Sequence, residues 1–212
     1  MKNNTEQFFD SFSKEYDKKV KNNYFKRNHR WIINEINKDK SLKNKVVMDV
    51  GCGTGELMNT IHKSHKSVSL IGVDISKKML DKASKVVPNA KLIKADSAEI
   101  PVADKSVDII VSSASFHHYE HPDLVILEWD RILKNDGYLI VLDSVKDYFP
   151  LSFMAYYWDF VDGKVSYSNH LKSKDFYTLF RKKFKNVAVS RKFKLLPVVH
   201  ALIIARRSIK ND

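Results

Sequence analysis

Cysteine is almost missing from this chain: Cys52 is the only one in 212 residues. That excludes a disulfide framework and a thiolate metal site. Glycine and proline are sparse too, at 6 and 5 residues, and they gather into no linker. No internal repeat is visible, so a solenoid or an array is excluded. No apolar run approaches the ~18 residues that a bilayer span needs. The first ten residues, Met1 to Asp10, lack the apolar stretch of a secretory signal. Acidic residues are in deficit, with 25 Asp+Glu against 37 Lys+Arg and a net charge of +12. That balance suits an anionic partner, or is simply a solvated lysine-rich surface. At 43% hydrophobic, the chain has enough apolar matter to bury a core and too much for disorder. The expectation is a single cytoplasmic domain over residues 1–212, monomeric or homodimeric.

Two textures divide the chain. Phe8, Phe9, Phe12, Tyr16 and Val20 recur at helical spacing, and Trp31, Ile32, Ile33 and Ile36 mark a second helix. From Lys45 onward, short apolar runs stand at 46–50, 70–73, 92–93, 107–111 and 138–142. Helical patterns at 56–63, 77–85 and 122–133 separate them. Strands alternating with helices imply right-handed crossovers and a parallel sheet covered on both faces. Ser76 is placed to cap the second of these helices, and Asp136-Gly137 reads as a turn into the fifth strand. After Asp143 the alternation stops. Residues 148–160 hold seven aromatic side chains, a helix is expected at 174–184, and two closing strands at 186–192 and 198–205. Segments 1–40 and 145–172 therefore read as a helical cap, and the aromatic one suits an acceptor pocket.

The most informative segment is Val46 to Glu56, in which a buried strand runs into Gly51, Gly53 and Gly55 and then a helix. Glycines suit a sharp turn that a ligand approaches closely, at the carboxyl end of the sheet. A dinucleotide loop would place its third glycine where Glu56 stands, and would rest a pyrophosphate on the helix start. Glu56 and Asp49 would repel it. A ligand with a positive centre and no phosphate has no such conflict, and S-adenosylmethionine is that ligand. Asp74, ending the second strand, is placed to accept the ribose hydroxyls. Ile75 and Met79 offer apolar faces to the adenine, and Asp96, with Ser97 and Ala98 after it, suits the adenine amine. Cys52 lies within the loop, and the backbone at Ser112 and Ser113 would close the methionine end. The blander readings are a tight turn for the glycines and an N-cap for Asp96.

In this order and spacing the chain resembles the class I S-adenosylmethionine-dependent methyltransferases, of the small-molecule type that includes the ubiquinone/menaquinone C-methyltransferases. The resemblance runs from Phe9-Asp10 and Tyr16-Asp17 through Asp49-x-Gly51-x-Gly53-x-Gly55, Asp74, Asp96 and Phe116-His117-His118. It ends at Leu133-Lys134-Asn135-Asp136-Gly137, where a proline and one glycine of the family pattern are missing. It implies an α/β, Rossmann-like, seven-stranded sheet of order 3-2-1-4-5-7-6, with strand 7 antiparallel. It also implies a small, apolar or aromatic methyl acceptor.

His117, His118 and His121 cluster after the fourth strand. No carboxylate or thiolate stands at a supporting spacing along the chain, so no metal is expected. His118 reads as a loop-orienting side chain. His117 is either a pocket wall or a general base, paired with Asp143 at the end of the adjacent strand. Two rival readings remain. A nucleic-acid methyltransferase would suit the charge, but Ser112-Ser113-Ala114-Ser115 stands where a base N-methyltransferase carries an Asn/Asp-Pro-Pro-aromatic segment. A non-catalytic binder of S-adenosylmethionine would share the fold.

Overall fold

The structure is a computed structural model that describes residues 5–11, 13, 24–147, 169–192 and 199–207. After a helical N-terminal segment over 5–11 comes helix α1 (Tyr24–Ile36). Strand β1 (Val46–Val50), helix α2 (Glu56–Ser64), strand β2 (Ser69–Asp74), helix α3 (Lys77–Val86) and strand β3 (Lys91–Lys94) follow. Then come β4 (Val107–Ser113), a 3₁₀ turn (Phe116–His118), α4 (Pro122–Ile132) and β5 (Leu133–Val145). Helix α5 (Ser173–Arg181) leads into β6 (Asn186–Lys192) and β7 (Val199–Arg206). The aromatic run 148–160 lies outside the described residues, as do Phe12, Tyr16 and Val20. Among the described residues no helix is long and apolar enough to cross a membrane.

One sheet takes the seven strands in the order β3-β2-β1-β4-β5-β7-β6, parallel except that β7 runs antiparallel to β5 and β6. The implied topology holds. Successive side chains of a strand point to opposite faces, and the core divides accordingly. Met48, Val50, Ile110, Leu139 and Val141 join Trp129, Phe176 and Phe180 of α4 and α5 on one side. Val47, Ile109, Val111, Ile140 and Leu142 join Ile32, Ile36, Leu57 and Leu80 of α1, α2 and α3 on the other. Every strand near the middle is thus apolar on both faces, which is why these runs show no alternation.

Two local readings fare differently. Ser76 does cap α3, its hydroxyl accepting the Met79 N–H at 3.2 Å. Asp136-Gly137 is not a turn between elements. It lies inside one continuous β5, whose pairing with β4 slips between Val107↔Leu133 and Ile109↔Tyr138. A Cβ on Gly137 would stand 2.8 Å from Leu133 Cγ and 2.9 Å from the Asp108 carbonyl oxygen. Bulge and turn both call on glycine, and the sequence cannot separate them.

Candidate active site

The carboxyl ends of β1, β2, β4 and β5 converge on one edge of the sheet, where open α/β folds place their ligands. The glycine loop opens it. Gly51, Gly53 and Gly55 all have positive φ, at 74°, 53° and 83°. Gly51 is also hemmed in: a Cβ there would come 2.4 Å from Ser115 Oγ. Ser115 accepts or donates to Ser112 Oγ at 2.8 Å and donates to the Val50 carbonyl at 3.2 Å. Tyr119 donates to the same carbonyl at 3.1 Å. Glycine is required at 51 because the hydroxyls that tie β4 to β1 already fill the space.

The loop's own N–H groups are almost all used inside the protein. Gly51 and Cys52 donate to the Val73 carbonyl at 2.8 and 3.0 Å, and Gly55 donates to the Cys52 carbonyl at 2.9 Å. Gly53 donates to Asp74 Oδ2 at 2.8 Å. A phosphate-binding loop does the reverse, aiming its N–H groups outward at the anion. Asp74 Oδ1 accepts from Ser76 N–H at 2.9 Å, so this carboxylate joins the loop to the start of α3 and keeps lone pairs for a ligand. Asp49 is 2% exposed. Burial, with the Asp74 charge adding to it, pushes its carboxyl up to about 8. Burial likewise lifts Asp74 to about 6, against the hydrogen bonds from Ser76 and Gly53. The site presents one buried acid and one half-buried acid, with no compensating cation among these contacts. That environment favours a cation.

The adenine-side residues divide. Asp96 Oδ1 accepts the Ala98 N–H at 2.9 Å, which fixes the carboxylate just past the end of β3, while Ser97 and Ile75 are partly exposed. Met79, on the first turn of α3, is 1% exposed, whereas Ile75 is partly exposed at that edge. Cys52 is buried with its thiol pushed up by burial. Ser112 is fully buried and its hydroxyl belongs to the Ser115 network, so only its backbone and the half-buried Ser113 can border a ligand.

At the other end of the edge, Phe116 anchors the 3₁₀ turn. It is 2% exposed and meets Trp129, Phe176 and Phe180 with ring centroids 5.4–5.7 Å away. That wedge fixes where His117 and His118 emerge. Asp143, at the end of β5 and fully buried, accepts both from the His117 backbone N–H at 3.0 Å and at 2.7 Å from His117 Nδ1. Burial alone would raise Asp143, but the charge and hydrogen bonds of His117 outweigh it and hold the carboxyl below the usual range. A carboxylate on Nδ1 fixes the tautomer and puts the lone pair of the neutral ring on Nε2. The sequence joins these two residues only through adjacent strands, and the structure brings them together.

Two further groups carry almost no signal in the sequence. His170, 6% exposed, stacks on His117 with centroids 4.2 Å and planes 15° apart. The spacing argument against a metal runs only along the chain, whereas His117, Asp143 and His170 meet in space within 4.8 Å. The ring geometry still opposes a shared ion. A nitrogen lone pair lies in its ring plane, and two nearly parallel planes this far apart share no point within a ligand bond of both rings. The second group is Asp10 of the N-terminal segment. It accepts from Ser76 Oγ at 2.5 Å, while Glu6 pairs with Lys94 at 2.5 Å and Phe9 sets its edge on His118 at 5.0 Å. The segment thus bridges the adenine-side edge and the histidine end. Only the Phe9-Asp10 pair of the family resemblance hints at it. Nothing along the chain marks His170.

Residues 48–141 match a family model described as a methyltransferase domain. The chain is 28% identical over 141 residues to a demethylmenaquinone methyltransferase of Thermotoga maritima, covering 64% of this chain and 59% of that protein. It is 30% identical over 109 residues to a ubiquinone/menaquinone biosynthesis C-methyltransferase of Campylobacter jejuni, covering 49% and 46%. The chain thus spans about half the length of the curated relatives it matches. Among solved structures, a Haemonchus contortus phosphoethanolamine N-methyltransferase 2 in complex with S-adenosyl-L-methionine superposes with a TM-score of 0.73 at 15% identity. That match covers 93% of this chain and 57% of the other, and it bears on the fold alone.

Proposed function

We propose that this chain is a class I S-adenosylmethionine-dependent methyltransferase, a reading that its matched segment and sheet order support, and that it methylates a small, apolar or aromatic acceptor. The observation that carries the donor is the glycine loop, whose N–H groups are engaged internally beside the buried Asp49 and the half-buried Asp74. Such a loop offers little to a pyrophosphate and much to a ligand with a sulfonium and an ammonium. The acceptor class rests on the quinone-type relatives and on the aromatic run at 148–160.

When bound, S-adenosylmethionine supplies an electrophilic methyl on a sulfonium whose leaving group is a neutral thioether. The chain's own residues then position, desolvate and move one proton. Asp74 and Asp96 hold the adenosine, and Asp49 faces the positive end. His117 Nε2 accepts the proton that the acceptor's hydroxyl or acidic C–H gives up, and Asp143 stabilises the imidazolium formed. Calorimetry with the donor, the demethylated product and NAD tests the reading, with micromolar-range donor binding expected on order-of-magnitude grounds. Tighter binding of NAD than of the donor overturns it.

Asp49 adds a pH signature. Its carboxyl is held up to about 8 in the free protein, and a bound cation favours the ionised form. Binding below pH 8 must therefore expel a proton. Donor affinity is expected to rise from pH 6 to pH 8, at most about tenfold per pH unit, then level off. Calorimetry in buffers of different ionisation enthalpy reads the proton directly. A flat profile would mean that the cationic end lies elsewhere.

The N-terminal segment gives a second signature. Its ties to Ser76, Lys78 and Lys94 lie along the adenosine edge, so a ligand there should lock it down. Amide exchange over residues 5–13 is expected to slow when donor or product is added. Equal protection with and without ligand would make the segment plain packing.

A further inference from the structure

The excess of basic residues is not spread evenly. Between residues 172 and 185 stand Lys172, Lys174, Arg181, Lys182, Lys183 and Lys185 against one acid, Asp175. All six are exposed, on helix α5 and its flanks. Elsewhere Lys45 pairs with Asp39, Lys134 with Asp108 and Arg131 with Glu128. Here Lys182 donates to Asp123 of α4 at 2.8 Å, while Lys174, Arg181, Lys183 and Lys185 enter no ion pair among the described residues. A coat of lysine that merely solvates the chain has no reason to gather around one helix.

The same face holds the exposed apolar side chains. Among the described residues, the large ones left exposed are Leu124, Leu127 and Tyr177, at 51%, 45% and 47%. Leu124 and Leu127 stand one turn apart on α4 and share an outward strip, and Tyr177 lies on the outward side of α5. Both helices pack on one side of the sheet, through Trp129, Phe176 and Phe180. The Lys182–Asp123 pair joins the end of α5 to the first turn of α4. Both also start beside the histidine end of the site. Leu124 N–H donates to the His121 carbonyl at 3.0 Å, and α5 follows the segment that Asn169 ties to the His117 carbonyl.

We propose that the outward face of α4 and α5 docks on an anionic lipid bilayer. Leu124, Leu127 and Tyr177 enter the headgroup layer, and the basic side chains around them meet lipid phosphates. An anionic surface favours each nearby Lys or Arg by about fivefold in binding. Leucine and tyrosine gain by sitting at the headgroup boundary, and lysine stems lie along it while their ammonium groups stay in water. A protein partner fits less well, because interface cores are depleted in lysine and here lysines flank the apolar side chains. A nucleic acid would use the charge and the ring of Tyr177, but it would gain nothing from the leucines. The choice of a bilayer also rests on the apolar acceptor proposed above. Such a molecule partitions into lipid, and the docked face adjoins the end of the site that holds His117.

The test is sedimentation of the full chain with lipid vesicles, with neither donor nor acceptor present. The apolar side of α5 faces the core through Phe176, Leu179 and Phe180, so docking is shallow and governed by charge. Binding is expected to vesicles containing about one-third phosphatidylglycerol and not to phosphatidylcholine alone, and it should fall steeply with salt. Lys174→Gln, Arg181→Gln and Lys183→Gln together should weaken it about 100-fold, three factors of about five. Lys63→Gln, Lys66→Gln and Lys85→Gln remove the same charge from exposed positions on and beside α2 and α3, which cover the other side of the sheet. That triple variant should lose less than about threefold, since charges held away from the bilayer are screened. Leu124→Gln with Leu127→Gln should weaken binding about fivefold and leave its salt dependence unchanged. Far-UV circular dichroism checks that each variant folds. Equal losses in the two charge variants would mean diffuse net charge and overturn the docking face. So would indifference to anionic lipid, or leucine variants that bind like the parent, the result expected if the partner is a nucleic acid. No acceptor enters the assay, so such a failure is separate from failure of the acceptor class, which turnover on a quinol-type probe decides.

Discussion

Replacing His117 with alanine is expected to lower turnover by about 10²–10⁴-fold, the range of a lost general base, with donor affinity nearly unchanged. The expectation follows from where each atom stands. Nδ1 is occupied by Asp143 at 2.7 Å, so the lone pair of the neutral ring is on Nε2. The ring meets His118 and stacks on His170. None of these contacts reaches the glycine loop, Asp74 or Asp96, which hold the donor in this reading. The loss should therefore appear in the chemical step and not in donor binding. Single-turnover rates on a phenolic or quinol-type acceptor, beside calorimetry of the donor, separate the two. A variant that turns over at the parental rate would reduce His117 to a pocket wall.

Asp143 should report on the same chemistry, with a different cost. Its carboxylate accepts from His117 twice and from the Ser144 N–H at 2.7 Å. Truncation to alanine strands these donors, which costs about 1–3 kcal/mol of stability for each one left buried and unpaired. Asparagine is the better probe of rate. The stability that the ionised group supplies is complete above the unfolded-chain value near pH 4. It is lost as the pH falls towards the lowered folded value, because only the folded state disfavours the proton.

How much of this is legible in the sequence depends on the range of the interaction concerned. Val46–Val50 and Val107–Ser113 announce themselves as short apolar runs because both of their faces are buried. For the same reason they say nothing about their neighbours, and the strand order comes from the resemblance and not from periodicity. Ser76 is readable because a cap is local to one turn. Gly51, Asp49 and Asp74 are readable as a set because a strand, a sharp turn and the next strand end lie within one crossover. The place of Met79 is not, since only tertiary packing decides which side of α3 meets the core. His170 and Asp10 are the hardest. Each reaches the site from a segment with no strong motif of its own, and each is held there by partners far along the chain, His117 in one case and Ser76 in the other. Chain spacing disfavours a metal at the histidine cluster, yet the stronger argument against one comes from two stacked rings that spacing cannot reveal.

Asp74→Ala is expected to weaken donor binding by roughly 1.5–3 kcal/mol, or about 10- to 150-fold in Kd, as charge-assisted hydrogen bonds to the ribose are lost. The structure shows why a simple loss would be ambiguous. Asp74 also accepts from Gly53 and Ser76, so its removal frees two backbone donors and loosens the loop whatever the ligand does. A ligand lacking both ribose hydroxyls resolves this. If Asp74 contacts the ribose, the parent protein should bind that analogue about as poorly as the variant does, and the two losses should not add, because each removes the same interaction. If Asp74 only shapes the loop, the variant should lose affinity for both ligands equally and the losses should add. Asp74→Asn sharpens the comparison. Its single carbonyl oxygen accepts from one of the two N–H groups, it carries no charge, and its amide would point a donor at groups that need an acceptor. It should therefore fall close to alanine in affinity. Donor binding unchanged in either variant would remove the ribose contact, and with it the main support for the adenosine orientation along β2 and β3.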